Sequence, residues 1–333
     1  MSTFIIAEMS ANHNHQKQIA LDTIKAAKEA GADAVKIQTY TADTITLNCE
    51  NEYFQINQGT LWDGTTLYKL YQQAYTPWEW HQELFDYAKE IGIPIFSTPF
   101  DKTAVDFLER LNNPIMKIAS FELVDIPLIE YAASKGRPMI MSTGIATLDE
   151  IQDAVDACRK AGNNDITLLK CTSSYPAPLS EANLMTIPDM AKRFDCKVGL
   201  SDHTTGDVGA CTAVALGAQV IEKHFIIDRS IGGPDSAFSM EKDEFSEMVK
   251  RIRETEGCLG TVSYELSEKM KNNRKFARSL FACADIKKGE IFTEQNIRSV
   301  RPSDGCSPKY LPELLGTVSN RDYKFGEPIV YGD

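Results

Sequence analysis

The chain has 333 residues, of which 43% are hydrophobic and 25% charged, a length that suffices for one large and one small domain. Its formal net charge of −12 at pH 7 argues against nucleic acid or an anionic membrane as the main partner. The eight cysteines form no CxxC pair. Neither a signal peptide nor an apolar run of membrane-spanning length is predicted, so we expect a cytoplasmic protein with reduced thiols.

From the start of the chain to about Phe225, short apolar runs alternate with amphipathic helical patterns. Eight runs are predicted to be strands, at 4–8, 34–40, 94–100, 115–120, 139–144, 166–176, 197–203 and 220–225. Helices are predicted between them, for example at 18–31, 77–92 and 148–162. Eight alternating units in about 250 residues are typical of a TIM barrel, and we therefore predict an α/β fold with a (β/α)8 barrel. A doubly wound open sheet is the alternative, although no GxGxxG motif follows the first strand.

One predicted connection is unusually long, because over thirty residues rich in Asn, Thr, Tyr and Gly separate Tyr40 from Pro77. A loop of this length inside a compact domain is commonly a lid or a binding loop. We expect it at the mouth of the barrel, and a surface insertion is the other interpretation.

The composition changes after the last predicted strand. A charged helix is predicted at 241–259, which closes the barrel domain at 1–260, and the polar segment 261–275 is predicted to be a linker. Residues 276–333 are β-rich, with turns at KKGE and FGEP, and predict a small separate domain. A domain of about sixty residues is near the lower limit for independent stability, so we expect it to pack on a partner surface.

Two histidines end the last two predicted strands, His203 in Ser201-Asp202-His203 and His224 in Glu222-Lys223-His224. The carboxyl ends of neighbouring parallel strands open on the same side of a barrel, so the two imidazoles can converge. With carboxylates nearby, the pair suits a divalent transition metal that keeps open coordination positions. Structural, hydrogen-bonded histidines are the alternative.

Two lysines, Lys36 and Lys117, lie within predicted barrel strands. A buried ammonium needs an anion, which is either a ligand or a protein carboxylate such as Glu8, Glu122 or Glu222. Serine and threonine hydroxyls at the strand ends suit a phosphate and a carboxylate bound together. With the metal site, these groups predict an enzyme that brings a small phosphorylated acid together with a carbonyl compound. A Schiff-base aldolase with either lysine as nucleophile is a second interpretation, and a carbohydrate-binding protein is a third.

Short motifs occur in the same order along nearly the whole chain as in one enzyme family. They are Glu8-x-x-Ala11-Asn12-His13, Lys36-Ile37-Gln38-Thr39, Ser97-Thr98-Pro99-Phe100, Lys117-Ile118-Ala119-Ser120, Ser142-Thr143-Gly144, Cys171-Thr172-x-x-Tyr175-Pro176, Gly199-Leu200-Ser201-Asp202-His203, Glu222-Lys223-His224-Phe225 and Gly233-Pro234-Asp235. The chain thus resembles the sialic acid synthase family, and its tail resembles the antifreeze-like (SAF) domain of that family. His15 stands where members commonly have Gly. The AEMSANH, KIQTYT and KIAS runs are most similar to the branch that makes pseudaminic acid, and the sialate and legionaminate branches stay open.

The resemblance implies a transferase that condenses phosphoenolpyruvate with an N-acetylated amino sugar and releases phosphate. In the pseudaminate branch the acceptor is 2,4-diacetamido-2,4,6-trideoxy-altropyranose. The resemblance also implies a divalent cation of the Mn or Mg class, held by His203 and His224. It further implies a domain-swapped homodimer, in which Arg301 of one subunit completes the active site of its neighbour.

The resemblance also implies roles for individual side chains. Glu8 would orient or deprotonate a reacting hydroxyl or water, and Lys117 would hold the carboxylate of phosphoenolpyruvate. The phosphate would be held by Lys36, Thr98, Ser120, Ser173 and Ser201. The sugar would face Gln38, Glu122, Tyr175 and Asp235.

Overall fold

The computed structural model describes residues 2–57, 59 and 62–332. The chain divides into two compact units, Met1–Gly260 and Thr261–Asp333. In the first unit eight parallel strands, β1 to β8, pair in sequence order and close into a barrel. The strands are Phe4–Glu8, Ala34–Thr39, Ile95–Pro99, Met116–Ile118, Met139–Ser142, Ile166–Cys171, Lys197–Asp202 and Val220–His224. The predicted TIM barrel is therefore confirmed and the open-sheet alternative is wrong, and every strand lies within one of the predicted runs.

Ten α-helices, α1 to α10, are found in the described part of the first unit. They are Lys17–Glu29, Ala42–Ile45, Leu67–Ala74, His81–Ile91, Lys102–Arg110, Ile126–Ala133, Leu148–Lys160, Thr186–Phe194, Val208–Ala215 and Lys242–Leu259. The second and third of these, α2 and α3, lie in the long connection after β2. Local signals set several ends. For example, Thr147 and Glu150 form a capping box at the start of α7, and α4 ends at Gly92, whose φ is +74°.

The barrel interior is built in layers from residues that alternate along each strand. An apolar layer consists of Ile6, Ala34, Phe96, Ile140, Leu169 and Val220. Side chains two residues further along a strand point to the same side, so Glu8, Lys36 and Glu222 follow Ile6, Ala34 and Val220 at the carboxyl end of the barrel. The intervening residues, such as Ile5 and Val35, pack outward against the helices in the main core. This alternation places an apolar floor beneath a charged site.

The second unit contains a two-stranded antiparallel sheet, with β9 at Ser279–Ala282 and β10 at Ile297–Val300. Its buried core consists of Leu280, Ala282, Ile286, Phe292, Ile297, Leu314, Tyr323 and Ile329. Two short helices, α11 at Glu268–Asn273 and α12 at Leu311–Leu314, complete the unit. The segment predicted to be a linker thus includes α11.

Among the described residues of both units, no helix combines the length and the apolar character that crossing a membrane requires.

Candidate active site

Four buried charged side chains meet at the carboxyl end of the barrel interior. Lys36 Nζ lies 2.7 Å from Glu8 Oε2 and 3.5 Å from Glu222 Oε1. Lys117 Nζ lies 3.9 Å from the same Glu222 oxygen. No member of this cluster is more than 5% exposed. The expected anions for the two lysines are therefore present within the protein, and Glu222 lies between the two ammonium groups.

Burial and pairing act in opposite directions on the pKa values of this cluster. Burial disfavours the charge on Lys36, but Glu222 and Glu8 outweigh it and raise the pKa of that lysine. Lys117 has weaker pairing, and burial lowers its pKa. Burial raises the pKa of Glu8 to about 7, against the effect of Lys36. Glu8 can therefore exchange a proton near neutral pH, which is a property of a general base.

Hydroxyl groups surround the two lysines. Thr98 Oγ1 lies 3.4 Å from Lys36 Nζ, and Lys117 Nζ donates to Ser142 Oγ at 2.7 Å. Ser201 Oγ donates to Glu222 Oε1 at 3.1 Å. These hydroxyls and ammonium groups can together donate several hydrogen bonds to the oxygens of a bound anion.

A second group of hydroxyls lines a small cradle at Gly144, just after β5. Ser120 Oγ lies 2.9 Å from Ser173 Oγ and accepts a hydrogen bond from the N–H of Ile145 at 3.1 Å. A Cβ at Gly144 would stand 2.2 Å from Ser173 Oγ and 2.7 Å from Ser120 Oγ. Only glycine leaves this cradle open, because any other side chain at position 144 would overlap both serines.

The two predicted metal ligands converge. The ring centroids of His203 and His224 lie 5.5 Å apart. His203 Nδ1 donates to the carbonyl of Thr172 at 2.9 Å, which leaves its Nε2 lone pair available. His224 Nδ1 is buried without a hydrogen-bond partner, and burial lowers the pKa of this histidine well below 6.5, so its ring is neutral.

Two converging imidazoles fit a divalent cation whose other positions are taken by water or substrate. Among the described residues, no group of three or more His, Cys, Asp and Glu side chains forms a closed metal site. The donor set is therefore an open two-histidine pair.

A buried ion pair fixes the loop that carries His203. Lys223 Nζ lies 2.7 Å from Asp202 Oδ2, and neither side chain is more than 2% exposed. The other oxygen of Asp202 accepts from the N–H of Thr204 at 2.9 Å. Because Asp202 and Lys223 are direct neighbours of His203 and His224 in the sequence, their contact joins the two strand ends that carry the imidazoles.

The side of the site predicted to face the sugar is held by a hydrogen-bonded chain. Gln38 Nε2 donates to Glu8 Oε1 at 3.1 Å and to Ser10 Oγ at 2.9 Å. Ser10 Oγ in turn donates to Asp235 Oδ2. The Tyr175 ring packs against His203 at a centroid distance of 4.3 Å. Glu8, the candidate base, is thus connected through Gln38 and Ser10 to Asp235.

Glu122 follows β4 and is close enough to Lys117 and Lys36 to interact with both ammonium groups. One of its carboxylate oxygens, Oε2, is enclosed without a hydrogen-bond partner, and burial raises the pKa of this residue to about 7. An unpartnered carboxyl group of this kind is available to a ligand hydroxyl.

The structure brings together every predicted site residue of the first unit, whereas Arg301 is an exposed residue of the second unit. The sequence pattern does not mark Ser10 as a site residue, and it predicts Glu222 as one of three possible carboxylate partners of the lysines. The signal for Glu222 was its position two residues before His224, which puts both side chains on one face of β8.

Known proteins match this chain over nearly its whole length. Pseudaminic acid synthase from Campylobacter jejuni is 50% identical over 330 residues, which cover 99% of this chain and 96% of that protein. N,N'-diacetyllegionaminic acid synthase from the same organism is 38% identical, with 98% of each chain covered. The crystal structure of the spore coat polysaccharide biosynthesis protein SpsE from Bacillus subtilis matches with a TM-score of 0.67 and 36% identity, covering 100% of this chain and 95% of that chain.

Family profiles match both units. The NeuB family profile matches residues 23–264, and the SAF domain profile matches residues 277–333. Together with the 50% identity to a synthase over nearly the full length, these matches confirm the resemblance found in the motifs. The chain belongs to the NeuB family and carries a C-terminal SAF domain.

Proposed function

We propose that this enzyme is a pseudaminic acid synthase, which condenses phosphoenolpyruvate, 2,4-diacetamido-2,4,6-trideoxy-altropyranose and water into pseudaminic acid and phosphate. The observation that carries the proposal is the buried cluster of Lys36, Lys117, Glu8 and Glu222, which lies in the same barrel mouth as the pair of His203 and His224. Such a site holds an anion with two negatively charged ends beside an aldehyde.

The proposed reaction forms one carbon–carbon bond and breaks one carbon–oxygen bond. C3 of phosphoenolpyruvate attacks the aldehyde carbon of the open-chain sugar, and the aldehyde oxygen takes up a proton. The electron-poor C2 that results is attacked by water, which loses a proton. The bond between C2 and the phosphate oxygen then breaks as the new C2 hydroxyl gives its proton to the departing phosphate, so that hydrogen phosphate leaves and a keto group remains.

The residues of the barrel have distinct parts in this scheme. Lys36 and the hydroxyls of Thr98 and Ser201 hold the phosphate, together with the cradle of Ser120 and Ser173. Lys117 holds the carboxylate. Glu8 accepts the proton of the attacking water, for which its pKa of about 7 suits it.

A divalent cation of the Mn or Mg class, held by His203 and His224, would polarise the aldehyde oxygen of the acceptor. The supporting observation is the pair of converging imidazoles, of which His224 is neutral and has a buried nitrogen without a protein partner. Gln38, Glu122, Tyr175 and Asp235 would orient the sugar.

Sequence identity favours the pseudaminate branch, because the chain is 50% identical to the pseudaminic acid synthase of Campylobacter jejuni and 38% identical to the N,N'-diacetyllegionaminic acid synthase of the same organism. The two enzymes share a reaction type, so the acceptor sugar distinguishes the branches.

We further propose that two copies of the chain form a domain-swapped homodimer. In this arrangement Arg301 of the second unit reaches the sugar in the neighbouring subunit's barrel. Exposed apolar side chains in the segments that follow the barrel strands support a partner surface over the barrel mouth. Those that are about half exposed or more are Phe121, Val124, Ile145, Leu148, Leu179, Met185 and Val208.

The test is phosphate release from phosphoenolpyruvate with Mn²⁺, using the diacetamido-altrose sugar, the legionaminate precursor or N-acetylmannosamine, each with and without a chelator. Selective and chelator-sensitive release with the altrose sugar is the expected result. Phosphate release with another sugar would contradict the pseudaminate assignment and would still support condensation with phosphoenolpyruvate. Chelator-insensitive activity that borohydride traps on a lysine would instead identify a Schiff-base aldolase.

A further inference from the structure

The long connection after β2 forms a cavity together with the loops that follow β1 and β8. The cavity has a volume of about 590 Å³ and is lined by Asn14, His15, Trp62, Gln72, Gln73 and Pro234, among others. We call it the loop cavity. Its volume is within the range of about 300–1,000 Å³ that is usual for small-molecule sites.

His15 occupies the loop cavity in a strained backbone conformation. Its φ is +54°, and the preceding Asn14 has φ +44°. The left-handed region costs a non-glycine residue roughly 1–2 kcal/mol. The imidazole Nε2 donates to the carbonyl of Gln72 at 3.1 Å, and the ring packs on Tyr75 at 4.9 Å. These contacts hold the imidazole between the loop after β1 and α3, at the wall of the cavity.

Trp62 connects the loop cavity to the sugar side of the active site. Its indole N–H donates to the carbonyl of Pro234 at 3.1 Å, and its ring lies 5.8 Å from the ring of Tyr175. Pro234 lines the cavity, and the next residue, Asp235, belongs to the hydrogen-bonded chain that reaches Glu8. The cavity thus lies next to the acceptor side, and Trp62 and the 233–235 loop belong to both.

The lining of the loop cavity indicates the chemistry of its ligand. Three carboxamide residues, Asn14, Gln72 and Gln73, combine amide donors with amide acceptors, whereas Trp62, Leu70 and Pro234 supply apolar surface. The described residues that line it include the carboxylate of Asp63 but no lysine or arginine, so the lining does not favour a phosphate or a carboxylate. An amide that carries a short alkyl group matches both kinds of surface.

We propose that the loop cavity receives one N-acyl arm of the acceptor sugar, and that Trp62 and His15 make the enzyme select a sugar with two acetamido groups. This inference rests on the proposed function, since it names the part of the acceptor that the long connection recognises. His15 and Trp62 are specificity-determining residues in this account and take no part in the chemical steps.

The test uses a bulky residue to fill the loop cavity. Gln73 is exposed on α3, so the larger side chain of Gln73→Trp takes up space in the cavity without disturbing the core. Lys69→Trp, on the same helix outside the cavity, is the matched control. We measure kcat/KM by phosphate release for the diacetamido sugar and for an acceptor with one acetamido group. Gln73→Trp should lower the ratio of these two values about tenfold or more, and Lys69→Trp should leave it unchanged.

A second variant, His15→Asn, keeps a residue that tolerates positive φ but removes the imidazole. It should lower the same ratio while the KM for phosphoenolpyruvate stays constant. If the ratio is unchanged in both Gln73→Trp and His15→Asn, the role of the cavity is overturned and the proposed function still stands. Absence of phosphate release by the wild-type enzyme with any of the sugars would overturn the proposed function and this inference with it.

Discussion

Lys36 Nζ and Glu8 Oε2 lie 2.7 Å apart in the barrel, where neither side chain is more than 4% exposed. Lys36 therefore has a protein counterion before any substrate binds. An incoming phosphate must compete with Glu8 for this ammonium, and protonation of Glu8 near pH 7 would release it. Lys36 and Glu8 thus couple anion binding to the protonation state of the candidate base.

Replacing this lysine tests the anion site. We expect Lys36→Met to lower kcat/KM for phosphoenolpyruvate by about 100-fold or more, because a buried charge opposite the substrate is lost. Lys160→Met, at an exposed ion pair with Glu130, is the control and should retain full activity. Steady-state phosphate release measures both. Normal kcat/KM in Lys36→Met would remove Lys36 from the anion site.

The cradle at position 144 can be closed by a single methyl group. Gly144→Ala would place a Cβ 2.2 Å from Ser173 Oγ, so we expect the KM for phosphoenolpyruvate to rise about tenfold or more while the KM for the sugar changes less. Gly257→Ala is a matched control, because no atom lies within 4 Å of the added Cβ and the site is in α10. Adding Ser173→Ala should not restore the affinity, because the hydroxyl contact is then lost as well. Equal KM values for wild type and Gly144→Ala would show that the anion binds elsewhere.

The histidine pair predicts a metal-binding phenotype. His203→Ala and His224→Ala should each weaken Mn²⁺ binding about 100-fold or more and abolish chelator-sensitive turnover, since each removes one of two protein ligands. Calorimetry or Mn²⁺ electron paramagnetic resonance measures the binding directly, and circular dichroism verifies the fold. Mn²⁺ binding that survives in both variants would contradict the assignment of these ligands.

Two other histidines should make stability depend on pH. Burial lowers the pKa of His13 and His81 from 6.5 to about 4. Between these values the unfolded chain binds more protons than the folded chain, so each histidine lowers the free energy of unfolding as the pH falls, by about 1.4 kcal/mol per pH unit. Glu8 and Glu122 act in the opposite direction, because their pKa values are raised to about 7.

The difference in the free energy of unfolding between the wild type and His81→Gln isolates the contribution of His81. His81 accepts from Thr39 and donates to the carbonyl of Pro77, so His81→Gln keeps a polar group at this position. The stability advantage of the wild type over His81→Gln should shrink by about 3 kcal/mol between pH 6.5 and pH 4. Urea unfolding at several pH values gives this difference. A constant difference would mean that His81 titrates normally in the folded protein.

The proposed exchange of domains predicts complementation between two inactive variants. Arg301→Ala has an intact barrel, and His203→Ala has an intact second unit. In a mixed dimer the His203→Ala chain would supply Arg301 to the barrel of the other chain. Co-expression should therefore restore a sizeable fraction of the activity, up to about one active site in each mixed dimer. If Arg301 acts within its own chain, the mixed dimer stays inactive.

Much of the fold could be predicted because the information is local. Each strand is a short run of apolar residues with a polar end, as in Ile95–Pro99 and Val220–His224, and each is buried on both sides. The same alternation that defines a strand places Glu222 and His224 on one face, so the position of the site at the strand ends followed from the pattern. The closure of the barrel then followed from the number of units.

The sequence by itself determined the eight-unit barrel, the two-domain order and the side chains at the strand ends, because periodicity and turn signals act over a few residues. Only the tertiary structure decided that Glu222 pairs with Lys36 and Lys117. It also decided that Ser10 binds both Gln38 and Asp235, the second of which lies 225 positions after Ser10 in the chain. The same holds for the contact of Trp62 with Pro234 across 172 positions. Such contacts depend on side-chain packing between elements that are distant in sequence, and no local pattern records the partner.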